Sequence, residues 1–269
     1  MIYVLGDSFS SGAELADHLY PSWPGHTEHT SNLVKYHSWC GSDIAIKESQ
    51  ELHRTLGDKV LHDLEAKLCW PGQLAEITQQ TVINQSAAKS GPSYWPYKLA
   101  RDLIKIKPDT VILQFSSIDR EVLFNNQYQD KILPRFVNAG TVPQSGPETD
   151  YFVNLKLLEG WESNFYRFLV TVMISQAICR SHGVKNIHVF STHNFVSSVL
   201  DPAGGIKLLN QFPDIRGAWE DTGIDWLHIN NIVTYASVAR GELLGGHYNA
   251  ETNKRFAEMV ANKYILNTS

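Results

Sequence analysis

Apolar residues along the chain recur with two different spacings, and the spacings alternate. Short, nearly continuous runs of β-forming residues predict strands at Ile2–Leu5 (IYVL), 81–84 (TVIN), Thr110–Phe115 (TVILQF), Asn186–Ser191 (NIHVFS) and 224–229. Between them, apolar positions three and four apart predict helices over 44–64, 73–80, 94–106, 159–181, 231–240 and 251–264. The expected core faces are Leu74, Ala75 and Ile77 in the second of these, and Tyr97, Leu99, Ala100, Leu103 and Ile104 in the third. In the last helix they are Phe256, Ala257, Val260 and Ala261. Lys107-Pro108-Asp109 ends one helix before the third strand, and Gly183 is a candidate C-cap that closes the longest helix. The third strand is apolar at almost every position, as a central parallel strand covered on both faces must be.

Strand, helix, strand in this order implies a parallel sheet with helices on both sides. Right-handed crossovers make the expected fold α/β: a three-layer, doubly wound parallel sheet of flavodoxin-like order. Two stretches interrupt the alternation. Residues 13–68 begin irregularly, with Pro21 and Pro24, and residues 121–155 are polar, with Pro134, Pro143 and Pro147. Both read as loop insertions, after strands one and three, within a single domain spanning 1–269.

Composition narrows the function. The chain has 269 residues, 43% hydrophobic and 19% charged, with a net charge of −5, which suits a globular domain and offers no basic surface for nucleic acid. No apolar run has the length of a membrane span. Cys40, Cys69 and Cys179 are scattered and odd in number. With no secretory leader in view, they suggest a reducing compartment, and the expected location is cytoplasmic. His18, His26, His29 and His37 cluster in the first insertion, but no cysteine pair or spaced acidic set accompanies them. They read as solvated loop histidines, and neither a metal nor another cofactor is expected.

Sites in such sheets form outside the carboxyl ends of the strands. The first strand delivers Gly6-Asp7-Ser8 there, and the second delivers Asn84 and a small-residue loop, 85–93. The third delivers Ser116 to Asp119, and the fourth delivers Thr192, His193 and Asn194. Asp7 and Ser8 suit a helix N-cap; equally, a serine at a strand-to-helix turn can be exposed for attack. A serine hydroxyl needs a base, and His247 stands in a glycine-hinged turn, GGHYN, ahead of the last helix. Asp225 and His228 have an Asp-x-x-His spacing, but in a strand alternate side chains face opposite ways, so that pair is read as a decoy.

Gly6-Asp7-Ser8-Phe9 resembles the first block of the SGNH, or GDSL-type, hydrolases, and His247 with Asn249, Asn253, Phe256 and Ala257 resembles the last. The resemblance implies an esterase or lipase in which Ser8 is the nucleophile and His247 the base. It implies an oxyanion hole from the N–H groups of Ser8 and Gly91, with Ser86 as the alternative to Gly91. Asp7, Ser117 and Asn194 would be supporting residues. Three departures stand out: the second block lacks a well-placed glycine, Ile118 replaces an asparagine donor, and Leu244 occupies the acid position three residues before the histidine. The implied substrate is a small-molecule or carbohydrate ester, such as an O-acetylated sugar, with no nucleic-acid or membrane partner. Tyr94 and Trp95, with Tyr20, Trp23 and Trp39, could wall such a site or simply pack beneath a long loop. A catalytically degenerate, glycan-binding or structural SGNH domain is the competing expectation, and an acyltransferase would use the same residues.

Overall fold

The computed structural model describes residues 1–12, 15, 19, 42–87, 90–115, 121–128, 131–137, 161–191, 243–244, 247–248 and 250–266, with Ser8 and His247 given by their backbone positions. Strand β1 is Ile2–Leu5, β2 is Val82–Asn84, β3 is Thr110–Phe115 and β6 is Asn186–Ser191; they form one sheet in the order β2-β1-β3-β6. This is a parallel α/β sheet whose order matches the first four strands of the flavodoxin-like arrangement. The β1–β3 pairing runs from Ile2 opposite Thr110 to Leu5 opposite Leu113, and the β3–β6 pairing from Thr110 opposite Asn186 to Phe115 opposite Ser191. Every residue of β1 and β3 is buried, as their continuous apolar runs require. The expected strand at 224–229 and helix at 231–240 fall outside the described residues, as do all four insertion histidines, Asp225, His228, Ile118, Tyr20, Trp23 and Trp39.

The chain falls into two compact units, Met1–Asp7 with Gln85–Leu227, and Ser8–Asn84 with His228–Ser269. In the first unit, a 3₁₀ turn at Pro92–Tyr94 leads into helix α5, Trp95–Asp102, which packs with helix α6, Trp161–Ser181. Phe115 is the aromatic hub of this core. Its ring lies 4.6 Å from that of Phe168 and 6.2 Å from that of Trp95. Gly183 closes α6 at φ 77°, with the Val184 N–H donating to Cys179 O over 3.1 Å, so the predicted glycine cap is present.

Several expectations here need correction. Helix α5 ends at Asp102, not 106, and Tyr97, Ala100 and Ile104 are exposed. Its buried residues are Trp95, Lys98 and Leu99, flanked by Tyr94 and Leu103, a stripe at three- and four-residue spacing that the expected face shares only at Leu99 and Leu103. Helix α6 is less buried than its composition suggests, with Tyr166, Met173 and Ile174 exposed. The insertion after β3 is not loop alone: it contains an antiparallel hairpin of β4, Glu121–Tyr128, and β5, Lys131–Val137, with a register shift between Asn125 and Tyr128. Pro134 sits within β5, where a two-stranded edge tolerates its missing N–H.

In the second unit, the short helix α1 is Ser8–Ser11, α2 is Asp43–Leu56, α3 is Asp58–Leu68 and α4 is Trp70–Thr78. The helix expected over 44–64 is therefore two helices, divided at Gly57, where the Gly57 N–H donates to His53 O. Helix α4 begins at Trp70, three residues before its apolar face predicts, because Pro71 suits the first turn of a helix. Helix α7, Ala250–Val260, continues into a π turn at Ala261–Leu266. Phe256, Ala257, Val260 and Ala261 are buried as expected. Among the described residues, no helix is long and apolar enough to cross a membrane.

Candidate active site

The turn that follows β1 is held by main-chain and side-chain bonds from the loop after β2. Gln85 N–H donates to Val4 O over 2.9 Å and Ala87 N–H to Gly6 O over 3.1 Å. The buried Ser90 hydroxyl donates to the same Gly6 carbonyl over 2.7 Å. On the other side, Asp7 N–H donates to Gln114 Oε1 over 3.3 Å, and both residues are buried. This explains the polar residue near the carboxyl end of the largely apolar β3: Gln114 receives an N–H that has left the strand ladder. That oddity was the signal by which the sequence could have disclosed Gln114; Ser90 offers no such signal.

The loop itself is fastened to α5. Lys98 Nζ lies 2.6 Å from Gln85 Oε1 and 2.6 Å from Asp102 Oδ2, and Tyr3 donates its hydroxyl to the same carboxylate over 2.8 Å. Burial acts to raise the Asp102 pKa, but hydrogen bonds from Lys98, Tyr3 and Arg101 outweigh it and hold the carboxyl below its usual range. Burial, and then the Asp102 bond, pushes the Tyr3 phenol far above its usual value. Gly91 has extended backbone, is buried, and accepts from Tyr94 N–H at its carbonyl. Tyr94 and Trp95 are buried, Trp95 completely. Packing, not a substrate wall, is what these two aromatics provide.

Ser8 opens α1 immediately after that turn. The helix is gripped at Ser10: Trp70 Nε1 donates to Ser10 Oγ over 3.0 Å, and Asn84 Nδ2 donates to Ser10 O over 2.7 Å. Asn84 is thus a structural anchor rather than a group offered to a ligand. Gly12 closes α1 at φ 85°, and a Cβ there would stand 2.7 Å from Glu65 O, so both conformation and space exclude a side chain. Burial pushes the nearby Cys69 thiol up to about 11, although hydrogen bonds from Gly72 N–H and Asn84 act against the shift. It stays a neutral thiol near neutral pH, which removes it as a nucleophile.

His247 is not on an open loop. It opens β8, His247–Tyr248, which pairs antiparallel with β7, Leu243–Leu244, and His247 stands opposite Leu244. Residues of β8 approach those of α1 within 8 Å between Cα atoms. The segments carrying Ser8 and His247, 239 positions apart in sequence, are thus neighbours within one unit. Ser117 and Asn194 lie outside the described residues.

No protein-family model matches the chain, and no curated protein matches it. Structural likenesses include two proteins described as of GDSL type and one carbohydrate esterase. A protein described as lipolytic and of the G-D-S-L family, from Desulfitobacterium hafniense, is 12% identical, with 97% of each chain covered and a TM-score of 0.48. A carbohydrate esterase whose active site displays divergent catalytic and non-catalytic binding functions is 11% identical, covering 97% of this chain and 66% of its own, at a TM-score of 0.47. A protein described as a GDSL-like lipase, from Parabacteroides merdae, is 11% identical over 97% of this chain and 93% of its own, at 0.42. Likeness at this level assigns no residue a role.

Proposed function

We propose that the chain is a serine-dependent esterase or deacetylase of the SGNH type, acting on a small-molecule or carbohydrate acyl ester. The observation that carries the reading is the approach of β8, with His247, to α1, with Ser8, directly after the Gly6-Asp7 turn. In this mechanism Ser8 Oγ attacks the ester carbonyl while His247 accepts its proton. The Ser8 N–H receives the oxyanion, as a preorganised backbone donor does. The intermediate collapses as His247 returns the proton to the leaving alcohol, and water then releases the acyl group by the same sequence of proton transfers. Hydrolysis of p-nitrophenyl acetate tests this. Ser8→Ala is expected to lower kcat by about 10⁴-fold or more, and turnover at the wild-type rate would overturn the reading.

A second reading is favoured by Leu244, which occupies the family's acid position and lies directly across the hairpin from His247. Without an orienting carboxylate, a serine triad loses about 10⁴ in rate. On this reading the domain binds glycan without turning it over. Failure of a fluorophosphonate to label Ser8, together with binding of an acetylated glycan, would favour it over the esterase.

A further inference from the structure

The first N–H groups of helix α4 have no partner within the helix. Pro71 removes one of these donors, and Gly72 N–H turns to the Cys69 sulfur. The remaining one, Trp70 N–H, is received by Asn253 Oδ1 over 2.9 Å, from a residue 183 positions away in α7. The indole N–H of the same tryptophan donates to Ser10 Oγ. Trp70 thus holds two distant pieces of chain with its two N–H groups. Its ring also meets Phe256 of α7 edge-on, with centroids 5.4 Å apart. Trp70, Asn253 and Ser10 are all buried, where hydrogen bonds are geometrically restrictive.

The two pieces are those that bear the proposed reacting pair. Ser10 lies two residues after Ser8, and α7 starts three residues after His247. We propose that Asn253 and Trp70 are positioning residues, forming a clamp that sets the spacing of α1 against β8 and hence of Ser8 against His247. This rests on the reading of Ser8 and His247 as nucleophile and base. Attack of a serine on an ester tolerates little misplacement, since about 1 Å of error can cost on the order of 10²-fold in rate. Neither residue touches the reacting atoms; both act through the elements they join.

The test compares wild type with Asn253→Leu, which keeps size but cannot accept, and Asn253→Asp, whose carboxylate still accepts at a helix N-terminus. Trp70→Phe removes the indole donor together with part of the buried ring, and Ser8→Ala is the control for serine-dependent turnover. The measurements are kcat and KM for p-nitrophenyl acetate, and amide hydrogen exchange at Ser11 and Tyr248. Asn253→Leu is expected to lower kcat by about tenfold or more with KM within about twofold, and Asn253→Asp to recover kcat to within about threefold. Trp70→Phe should lower kcat by about threefold, and exchange at both amides should quicken in the same order as the kcat losses. A folded Asn253→Leu with wild-type kcat, equal losses in the Leu and Asp variants, or unchanged exchange at either amide would overturn the clamp. Turnover by Ser8→Ala at the wild-type rate would instead remove the esterase reading, and exchange at the two amides would then decide the clamp by itself.

Discussion

Strand β3 and helix α1 are both built around buried residues, yet they are held by different forces. Around β3 the buried positions are almost all apolar, and Phe115 meets Trp95 and Phe168 ring to ring. Its stability comes from area removed from water, which many side chains could supply. Around α1 the buried contacts are directional: Trp70 to the Ser10 hydroxyl, Asn84 to the Ser10 carbonyl, and a glycine against the Glu65 carbonyl. Hydrogen bonds of this kind add only about 1 kcal/mol each to stability, but they restrict geometry more than oily contact does. A scaffold can rest on the first kind of contact, whereas the segment presenting a nucleophile gains from the second.

The contrast can be broken by substitution. Phe115→Ala should carry the largest cost, about 4 kcal/mol in urea unfolding, because it empties the aromatic hub. Gly12→Ala should cost about 2 kcal/mol, from a strained positive φ and a Cβ against a backbone oxygen. If Gly12→Ala proved the costlier of the two, the division between apolar scaffold and polar anchorage would fail.

Tyr3→Phe sharpens the comparison from inside the sheet, where the Tyr3–Asp102–Lys98 network is the polar exception. It should cost about 1 kcal/mol at neutral pH, with a distinct pH signature. The folded Tyr3 pKa is raised, so above about pH 10 the unfolded chain sheds a proton that the folded protein keeps, and stability falls as pH rises. The folded Asp102 pKa is lowered, so its contribution is present above about pH 4 and is lost as pH falls toward the folded value. Unfolding measured from pH 3 to 11 should show a shallower alkaline decline in Tyr3→Phe than in wild type. An identical decline in both would place the alkaline loss elsewhere.

Patterning along the chain was sufficient to find β1, β3 and β6 at their observed limits: β1 and β3 because a strand buried on both faces must be apolar at nearly every position, and β6 because its β-forming residues alternate with polar ones. It was also sufficient to find the inward face of α7 and the Gly6-Asp7-Ser8 turn. It misjudged the face of α5, since apolar residues such as Tyr97 and Ile104 also stand on its exposed side and only packing decides which stripe is covered. It read one helix where Gly57 separates two, and it did not resolve the β4–β5 hairpin within a polar stretch, where pairing comes from a partner strand and not from amphipathic spacing. The candidate site shows the same boundary. Gly6, Ser8, His247 and Leu244 could be singled out by residue type and spacing, but the hairpin that sets Leu244 across from His247 could not. Nor could the pairing of Trp70 with Asn253 and Ser10. Burial of apolar area is written locally, as a period in the chain; a hydrogen bond between residues 183 positions apart exists only once folding has brought donor and acceptor together.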